Sequence, residues 1–295
     1  MVGLLTLALG ACGSDGTSAP DAGNGTADAA GNGDWQTLIA RDWTLAPGTE
    51  QYRCSRITVT EDLYITGFRS IDPSGTHHTV VTVEDTGSDG DFNCTPGTLA
   101  DEMIFASGVG TDVLEFPEGV AFKVPAGRKI LLNLHLYNTG ESETTGRSGT
   151  EIKTIAAAQV QEEAEVTFAG TFLVSIPANS EHTTSGRCTF TQDATVMTIW
   201  PHMHQLGTHM KVVHEASGGD VTLHDEPYNF EEQVNYMIDP VLVQAGEAVR
   251  AECTWNNTTN QTVTFGDSSD KEMCFAGLYR YPKSGEDTFC GGSPL

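Results

Sequence analysis

The sequence predicts an all-β protein made of antiparallel β-sandwiches or jelly rolls. From Trp35 onward, short runs rich in β-branched and aromatic residues are separated by Gly, Asn, Asp and Pro. No long segment has the periodicity of an amphipathic helix. Many short strands at this spacing are typical of sandwiches, and a chain of 295 residues allows two of them in tandem.

The predicted strands fall into two groups along the chain. The first group consists of RITVTEDLYITGF (56–68), HHTVVTVED (77–85), GVAFKV (119–124) and KILLNLHLY (129–137). The second consists of VTFAGTFLVSI (166–176), ATVMTIW (194–200), VLVQAGEAVRAECTW (241–255) and QTVTF (261–265). A polar loop at 141–150 lies between the groups. We therefore place the boundary near Glu162, with one sandwich over residues 35–162 and the other over residues 163–295.

The N-terminal segment resembles a bacterial lipoprotein signal. Residues 1–12 are largely apolar and end in LGAC, where small residues precede Cys12, the residue that would carry the lipid. The alternative is an apolar N-terminus with a chance cysteine. Residues 13–34 are mostly Gly, Ala, Asp and Ser, which predicts a disordered tether. We expect an exported protein, either a lipoprotein on the cell envelope or an extracellular protein. Any membrane contact would be through the lipid alone, because no apolar run reaches the roughly 20 residues of a transmembrane helix.

The charge of the chain argues against a nucleic-acid partner. The sequence has 40 acidic and 15 basic residues, which gives a formal net charge of −25. Such a surface repels phosphate backbones instead of releasing their counterions.

Six cysteines remain once Cys12 is set aside, an even number that suits disulfides in an oxidising compartment. They are Cys54, Cys94, Cys188, Cys253, Cys274 and Cys290. No pair has the CxxC spacing of a zinc knuckle or a thioredoxin-like site. The spacing alone leaves the pairing open.

Histidines occur at three places associated with predicted strands. In KILLNLHLY the three leucines share one face, so Asn133, His135 and Tyr137 lie on the other. Taken alone, His135 is most simply interpreted as a solvated surface residue. His202 and His204 are two residues apart and would share a strand face, which is a half-site for copper or zinc.

His77 and His78 are neighbours in sequence, so on a regular strand their side chains would point in opposite directions. Both could bind one ion only if the strand end is irregular, which the preceding Gly75 would allow. The alternative is one core and one surface histidine. Met273 could add a thioether ligand, and a disulfide at Cys274 would fix its position, although most methionines simply fill a core.

Four motifs occur together in this chain: HH at 77–78, FPEGVAFKVPAGRKILLNLHLYN at 116–138, HMHQLG at 202–207 and SSDKEMC at 268–274. In their order and spacing, from about residue 51 to residue 281, they resemble the copper type II ascorbate-dependent monooxygenases. The resemblance implies two tandem jelly-roll sandwiches that face one another across a cleft. It also implies an enzyme that hydroxylates a C–H bond of a small organic substrate with O₂. We expect the protein to be a monomer.

The resemblance further implies two copper ions and ascorbate or a similar one-electron reductant. The first copper, which supplies an electron, would be held by His77, His78 and His135. The second, where O₂ binds and the substrate reacts, would be held by the catalytic ligands His202, His204 and Met273. The implied disulfides are Cys54–Cys94, Cys188–Cys290 and Cys253–Cys274.

The substrate residues of the peptide-processing members are not retained. There an arginine two residues before the HxH pair, and an asparagine and a tyrosine after the methionine, hold the substrate carboxylate. Here these positions are Trp200, Phe275 and Gly277, so we expect a small apolar or aromatic molecule between Trp200 and Phe275. Tyr279 could replace the tyrosine only if the loop is reshaped.

Two other functions compete with the enzyme. The first is an exported copper-binding protein without turnover, and the second is an adhesion or glycan-binding sandwich with incidental histidines. Retention of both complete ligand sets favours the enzyme, because metal capture needs one site. Four histidines are left without a role, and of these His209 is the nearest in sequence to the HxH pair: His182, His209, His214 and His224.

Overall fold

A computed structural model describes residues 34–99, 102–108, 110–111, 113–230, 232, 234–266, 268–285 and 288–290. The predicted lipidation site Cys12 and nearly all of the expected tether lie outside the described residues. The described part is all-β, which confirms the predicted class, and its one helical element is the 3₁₀ turn Ala157–Gln159. Among these residues, no helix has the length and apolar character needed to cross a membrane.

Ten strands of the described chain precede the 3₁₀ turn, and eleven follow it. The first ten are β1 Gln36–Leu45, β2 Glu50–Thr58, β3 Leu63–Ile71, β4 Thr76–Glu84, β5 Gly90–Asn93, β6 Glu102–Gly108, β7 Leu114–Glu115, β8 Val120–Val124, β9 Lys129–Tyr137 and β10 Thr144–Thr154. The others are β11 Glu162–Thr171, β12 Ser175–Ile176, β13 Ser180–Thr189, β14 Ala194–His202, β15 Gly207–Glu215, β16 Val221–Pro227, β17 Tyr236–Val243, β18 Ala248–Asn257, β19 Val263–Thr264, β20 Cys274–Tyr281 and β21 Phe289–Cys290.

Each half of the chain forms a β-sandwich. In the first half, a five-stranded sheet in the order β5-β2-β9-β4-β6 packs on strands β1, β10, β3 and β8. In the second half, a four-stranded sheet in the order β13-β18-β15-β16 packs on β11, β20, β14 and β17. Pairing within each of these sheets is antiparallel, as the short alternating runs predict.

One sheet runs through both halves. Its strand order is β1-β10-β3-β8-β11-β20-β14-β17, with β7 beside β3 and β21 beside β11. The junction is the parallel pairing of β8 with β11, in which Val120 is opposite Glu162. The domain boundary near Glu162 stays a prediction. In the structure Glu162 is the first residue of β11, where this strand pairs with β8 of the first half.

The cores follow from the alternation of side chains along the strands. On β9 the three leucines at 132, 134 and 136 are fully buried, and on β18 the same is true of residues 249, 251, 253 and 255. The core of the first half also contains Trp200, Phe275 and Tyr279 from the second half. Strands β14 and β20 therefore have one face in the core of the second sandwich and the other face against the first half.

Two side chains of the second half bond to the backbone of β6. The Asn235 amide donates to the Ala106 carbonyl at 2.8 Å, and the Tyr279 hydroxyl donates to the Ile104 carbonyl. Both bonds are buried, where a missing partner would cost on the order of 1–3 kcal/mol. Together with the β8–β11 pairing, they fix the position of the two halves relative to one another.

Three disulfides are present with the expected pairing: Cys54–Cys94, Cys188–Cys290 and Cys253–Cys274. The second and third join the two sheets of the second sandwich. Disulfides of this number indicate an extracellular or exported protein.

Candidate metal centre

The first histidine group lies where β4 begins beside β9. Thr76 is opposite Leu136 and His78 is opposite His135, so the register slips by one residue at His77. This bulge is the irregular strand end that the sequence requires for both neighbouring histidines to face the same side. Gly75, just before it, has φ +104°, and a Cβ there would lie 2.7 Å from Cη2 of Trp43.

The three imidazoles of this group are close enough to share one metal ion. His77 Nδ1 lies 3.1 Å from His78 Nδ1, which in turn lies 3.4 Å from His135 Nδ1. Nitrogens held at about 2.0–2.1 Å from one ion are on the order of 3.4 Å apart. A ligand atom from each of the three side chains lies within 4.8 Å of the other two. The donor set therefore fits a metal that prefers imidazole.

The environment of the group favours neutral rings, which is the form that binds metal. Burial lowers the pKa of His78 well below its ordinary value, and the nearby rings of His135 and His77 lower it further. Burial also lowers the pKa of His135, although the Glu50 carboxylate opposes this effect.

Glu50 and Tyr52 hold the ring of His135 from behind. His135 Nε2 is 2.5 Å from Glu50 Oε1, and the ring stacks on Tyr52 with 4.4 Å between centroids and an interplanar angle of 4°. With Nε2–H donated to the carboxylate, Nδ1 keeps its lone pair for a metal. Sequence reasoning missed both residues, because the pairing of β2 with β9 cannot be read from either strand alone.

The second histidine group lies at the end of β14 and in the turn that follows. The rings of His202 and His204 are 5.3 Å apart between centroids and nearly perpendicular. His204 Nδ1 is 3.0 Å from the Lys271 carbonyl oxygen. Because a carbonyl only accepts, this bond fixes the proton on Nδ1, so Nε2 is the unprotonated nitrogen, which is the form that binds a metal.

A buried carboxylate connects this turn to the chain segment that carries Met273. Glu272 is fully buried and accepts backbone N–H groups of His204 at 2.8 Å and Leu206 at 2.7 Å. The indole of Trp255 donates to it at 2.8 Å. Burial raises the pKa of the Glu272 carboxyl, and these donors oppose the rise. Sequence reasoning did not single out Glu272, although it stands next to Met273 in SSDKEMC.

Both histidine groups contribute to one cavity of about 330 Å³ between the halves. His78 is part of its wall on one side, and His202, His204 and Met273 are part of its wall on the other. The other side chains around it are mainly apolar and aromatic, and no Arg, Lys, Asp or Glu is among the described residues that line it. The cavity is therefore suited to an uncharged molecule.

Phe230 lies between the two histidine groups. The centroid of its ring is 6.5 Å from that of His77 and 6.1 Å from that of His204. Both distances are within the range of aromatic contacts. The chain carries this ring there on a segment that begins at Tyr228, which bonds to the backbone of Met203.

The residues expected in the substrate pocket are Trp200, Phe275 and Tyr279, and the first two line the cavity. The centroid of the Trp200 ring lies 5.6 Å from that of Phe168. A Cβ at Gly277 would lie 2.9 Å from Cε3 of Trp200, so this glycine lets the indole rest on β20.

The expectation for Tyr279 is wrong, because its side chain does not line the cavity. It is fully buried in the core, with its ring 5.3 Å from that of Phe116. Tyr279 shares a strand face with Phe275, but four residues of β-strand span about 13 Å. The Tyr279 side chain therefore lies in the core, beyond the end of the cavity.

The four histidines without a predicted role have local partners. His209 pairs with Asp225 at 3.2 Å on the surface, and His214 with Glu247 at 2.8 Å. His224 packs against Tyr236, and His182 lies 6.4 Å from the ring of Trp255. None of the four is among the described residues that line the cavity.

Among solved structures, the chain is similar to three proteins at low overall similarity. A β-porphyranase of glycoside hydrolase family 86 from the human gut bacterium Bacteroides plebeius is 9% identical over 81% of this chain and 36% of its own, with a TM-score of 0.19. Dimeric latent PorU from Porphyromonas gingivalis is 8% identical over 79% and 24%, with a TM-score of 0.19. The infectious bursal disease virus Gt strain structure is 9% identical over 85% and 75%, with a TM-score of 0.17.

The chain thus spans about a third of the length of the first of these proteins, and the three TM-scores are too low to carry an argument about fold or function. A family model gives a specific match. It is described as copper type II ascorbate-dependent monooxygenase, C-terminal domain, and it matches residues 162–293. This range contains His202, His204, Met273 and the disulfide beside the methionine. Residues 162–293 of this chain therefore match the C-terminal domain of the copper type II ascorbate-dependent monooxygenases, which supports the family that the sequence motifs resemble.

Proposed function

We propose that the protein is a dicopper monooxygenase that hydroxylates a C–H bond of a small uncharged molecule with O₂ and ascorbate or a similar reductant. The observation that carries this proposal is the convergence of two metal-ligand sets on one cavity. A three-imidazole group comes from the half outside the family match. The His-His-Met set comes from the matched half.

The chemistry of the donors fits copper at both places. The first group offers three imidazoles, and its carboxylate, Glu50, stands behind His135 instead of facing the other two rings. The second set adds a thioether to two imidazoles, which favours reduced copper. Two bound copper ions would supply the two electrons that C–H hydroxylation takes from the reductant, one from each ion.

The protein's own residues hold the ligands in the form that binds metal and place apolar surface between the two groups. Glu50 and the Lys271 carbonyl each accept a hydrogen bond from a ring N–H, which leaves the other ring nitrogen of His135 and of His204 unprotonated and able to bind metal. Phe230 fills space between the two groups.

The walls of the cavity support an apolar or aromatic substrate. Trp200 and Phe275 occupy positions where the peptide-processing members have a carboxylate grip, and both contribute aromatic surface here. The volume of about 330 Å³ lies at the lower end of ligand pockets, which run from about 300 to 1,000 Å³. A preference for carboxylate substrates in a turnover screen would contradict this assignment.

The test of the function is copper stoichiometry by elemental analysis, paired with oxygen uptake in the presence of ascorbate. We expect two copper ions per chain, one of which is lost in His202→Ala, and uptake that depends on substrate in a panel of small apolar molecules. One copper or none, without such uptake, would favour an exported copper-binding protein that does not turn over.

Met273→Leu distinguishes loss of turnover from loss of total copper binding. Leucine keeps the apolar wall but removes the sulfur, so turnover should fall more than about 100-fold, since even outer-shell losses cost 10–100-fold. The first copper should remain. Met203→Leu is the control, because the Met203 side chain is fully buried in the core of the second sandwich. Equal loss of both copper ions in Met273→Leu would count against the assigned role.

We also propose that Cys12 is lipidated and anchors the enzyme on the cell envelope. The three disulfides support export, and the apolar segment that ends in LGAC supports the lipid. Mass spectrometry of the mature N-terminus should find acyl chains on this cysteine. An unmodified thiol would contradict the anchor.

A further inference from the structure

The second metal site is assembled from two chain segments that are far apart in sequence. His202 is the last residue of β14 and His204 lies in the turn after it, whereas Met273 is the residue before β20. Their side chains can face one ion only if the two segments keep a fixed offset. Ligand geometry in metal sites must be held by neighbours that the metal does not touch.

Glu272 joins these two segments through its carboxylate. Oε2 accepts the backbone N–H of His204, and Oε1 accepts that of Leu206, at 2.8 and 2.7 Å. The two oxygens thus bridge the turn on either side of one residue. The same carboxylate belongs to the residue directly before Met273, so the bridge ends next to the sulfur ligand.

The opposite sheet supports the same residue. Trp255 on β18 is fully buried and donates its indole N–H to Glu272 at 2.8 Å. Two residues earlier on β18, Cys253 is bonded to Cys274. Both sequence neighbours of Met273 are therefore anchored, one by hydrogen bonds and the other by a disulfide.

The backbone next to Glu272 also orients an imidazole. The Lys271 carbonyl accepts from His204 Nδ1 at 3.0 Å. Any shift of the segment 271–273 relative to the turn would therefore move the backbone of His204 and its ring together. A buried carboxylate carries a desolvation cost that a merely apolar contact would avoid, so its retention at this point calls for a specific role.

We propose that Glu272 is a positioning residue, whose carboxylate holds His204 and Met273 at the spacing that one copper ion requires before the ion binds. The inference rests on the function proposed for the second site. Glu272 itself does not touch the metal or the substrate, and no proton or electron passes through it in this role.

The test is Glu272→Gln in the full chain, loaded with copper and titrated with a competing chelator. The amide puts an NH₂ group against N–H donors, so the second copper should bind 10–100-fold more weakly. The first copper should keep its affinity. The electron paramagnetic resonance signal of the second Cu²⁺ should also change, because its ligands are no longer held at one spacing. Glu272→Asp keeps the charge on a shorter side chain and should recover part of the affinity.

Glu247→Gln is the matched control. Glu247 also accepts two backbone N–H groups, from Ser217 at 2.7 Å and Gln244 at 3.0 Å, and it bonds to the ring of His214. It does not line the cavity. We expect this variant to lose stability without any change in copper affinity or spectrum.

Wild-type affinity and signal for the second copper in Glu272→Gln would overturn the inference and leave the proposed function intact. A wild-type protein that binds no second copper would overturn both. If Glu272→Gln does not fold, Trp255→Phe removes one donor and leaves the carboxylate in place. A smaller but measurable loss of second-site affinity is expected there, and an unchanged affinity would overturn the inference.

Discussion

The disulfide Cys253–Cys274 links the stability of the second sandwich to its metal site. It joins β18 to β20 across the core, both cysteines are fully buried, and Met273 is the residue before Cys274. Replacing both cysteines with alanine removes this link without burying a new polar group. The consequences for stability and for copper binding can then be measured separately.

The expected loss of stability follows from the length of the loop that each bridge closes. A separation of 21 residues gives about 3.3 kcal/mol of loop-closure entropy at 25 °C, and the 102 residues of Cys188–Cys290 give about 4.7 kcal/mol. The difference of about 1.4 kcal/mol corresponds to roughly a factor of ten in the unfolding equilibrium constant. The constant that both bridges share cancels in this difference.

Urea unfolding of the two double-alanine variants measures this difference. The Cys188→Ala/Cys290→Ala variant should be the less stable of the two, while the Cys253→Ala/Cys274→Ala variant should lose more affinity for the second copper. The stability ranking and the copper ranking are thus opposite. If the variant without Cys253–Cys274 keeps its second copper and is also the less stable one, the bridge does not position Met273 and the loop-length reasoning fails.

Two further perturbations address the first site and the pH response. Gly75→Ala places a Cβ 2.7 Å from Cη2 of Trp43 at φ +104°. Backbone strain at such a φ costs about 1–3 kcal/mol, and the clash should add to this loss of stability. The affinity of the first site for copper should also fall. Gly90→Ala, with φ +123° and nothing within 4 Å, is its control, and equal losses in chelator titrations and urea unfolding would contradict the role of the bulge. Backbone N–H groups hold the pKa of Glu247 at about 2, against an ordinary 4.5. This group therefore stabilises the fold above pH 4.5 and ceases to do so as pH falls toward 2. Melting temperature should fall less steeply over this range in Glu247→Gln, and parallel curves would refute the assignment.

Features that depend on one strand could be predicted from the sequence. Alternation along KILLNLHLY correctly assigns the faces of β9 and puts His135 on the side away from the buried leucines. The need for an irregular strand end at His77 and His78 follows from the two-residue period, and the structure has a bulge there. Each inference needs only local geometry.

Features that depend on pairing between distant segments could not be predicted. The carboxylate of Glu50 reaches His135 because β2 lies beside β9, and Phe230 reaches both histidine groups from a loop. Burial of His135 on its polar face has the same origin, because that face is covered by other parts of the chain. No periodicity within either segment encodes these neighbours.

The placement of Tyr279 shows a second limit. Its position near Met273 in the sequence suggests the cavity, but distance along an extended strand grows by about 3.3 Å per residue. A residue six positions away is therefore far from the metal ligand even when it shares a strand face with the pocket wall.

The shared sheet makes the matched segment a poor candidate for expression alone. A fragment that begins at residue 162 would lack β8, so residues 162–164 of β11 would become an open sheet edge. It would also uncover Trp200, Phe275 and Tyr279, three aromatic side chains that the first half buries. Open edges and apolar patches of this kind promote self-association. We therefore expect the halves to unfold as one cooperative unit, so that global unfolding removes both copper sites in a single transition.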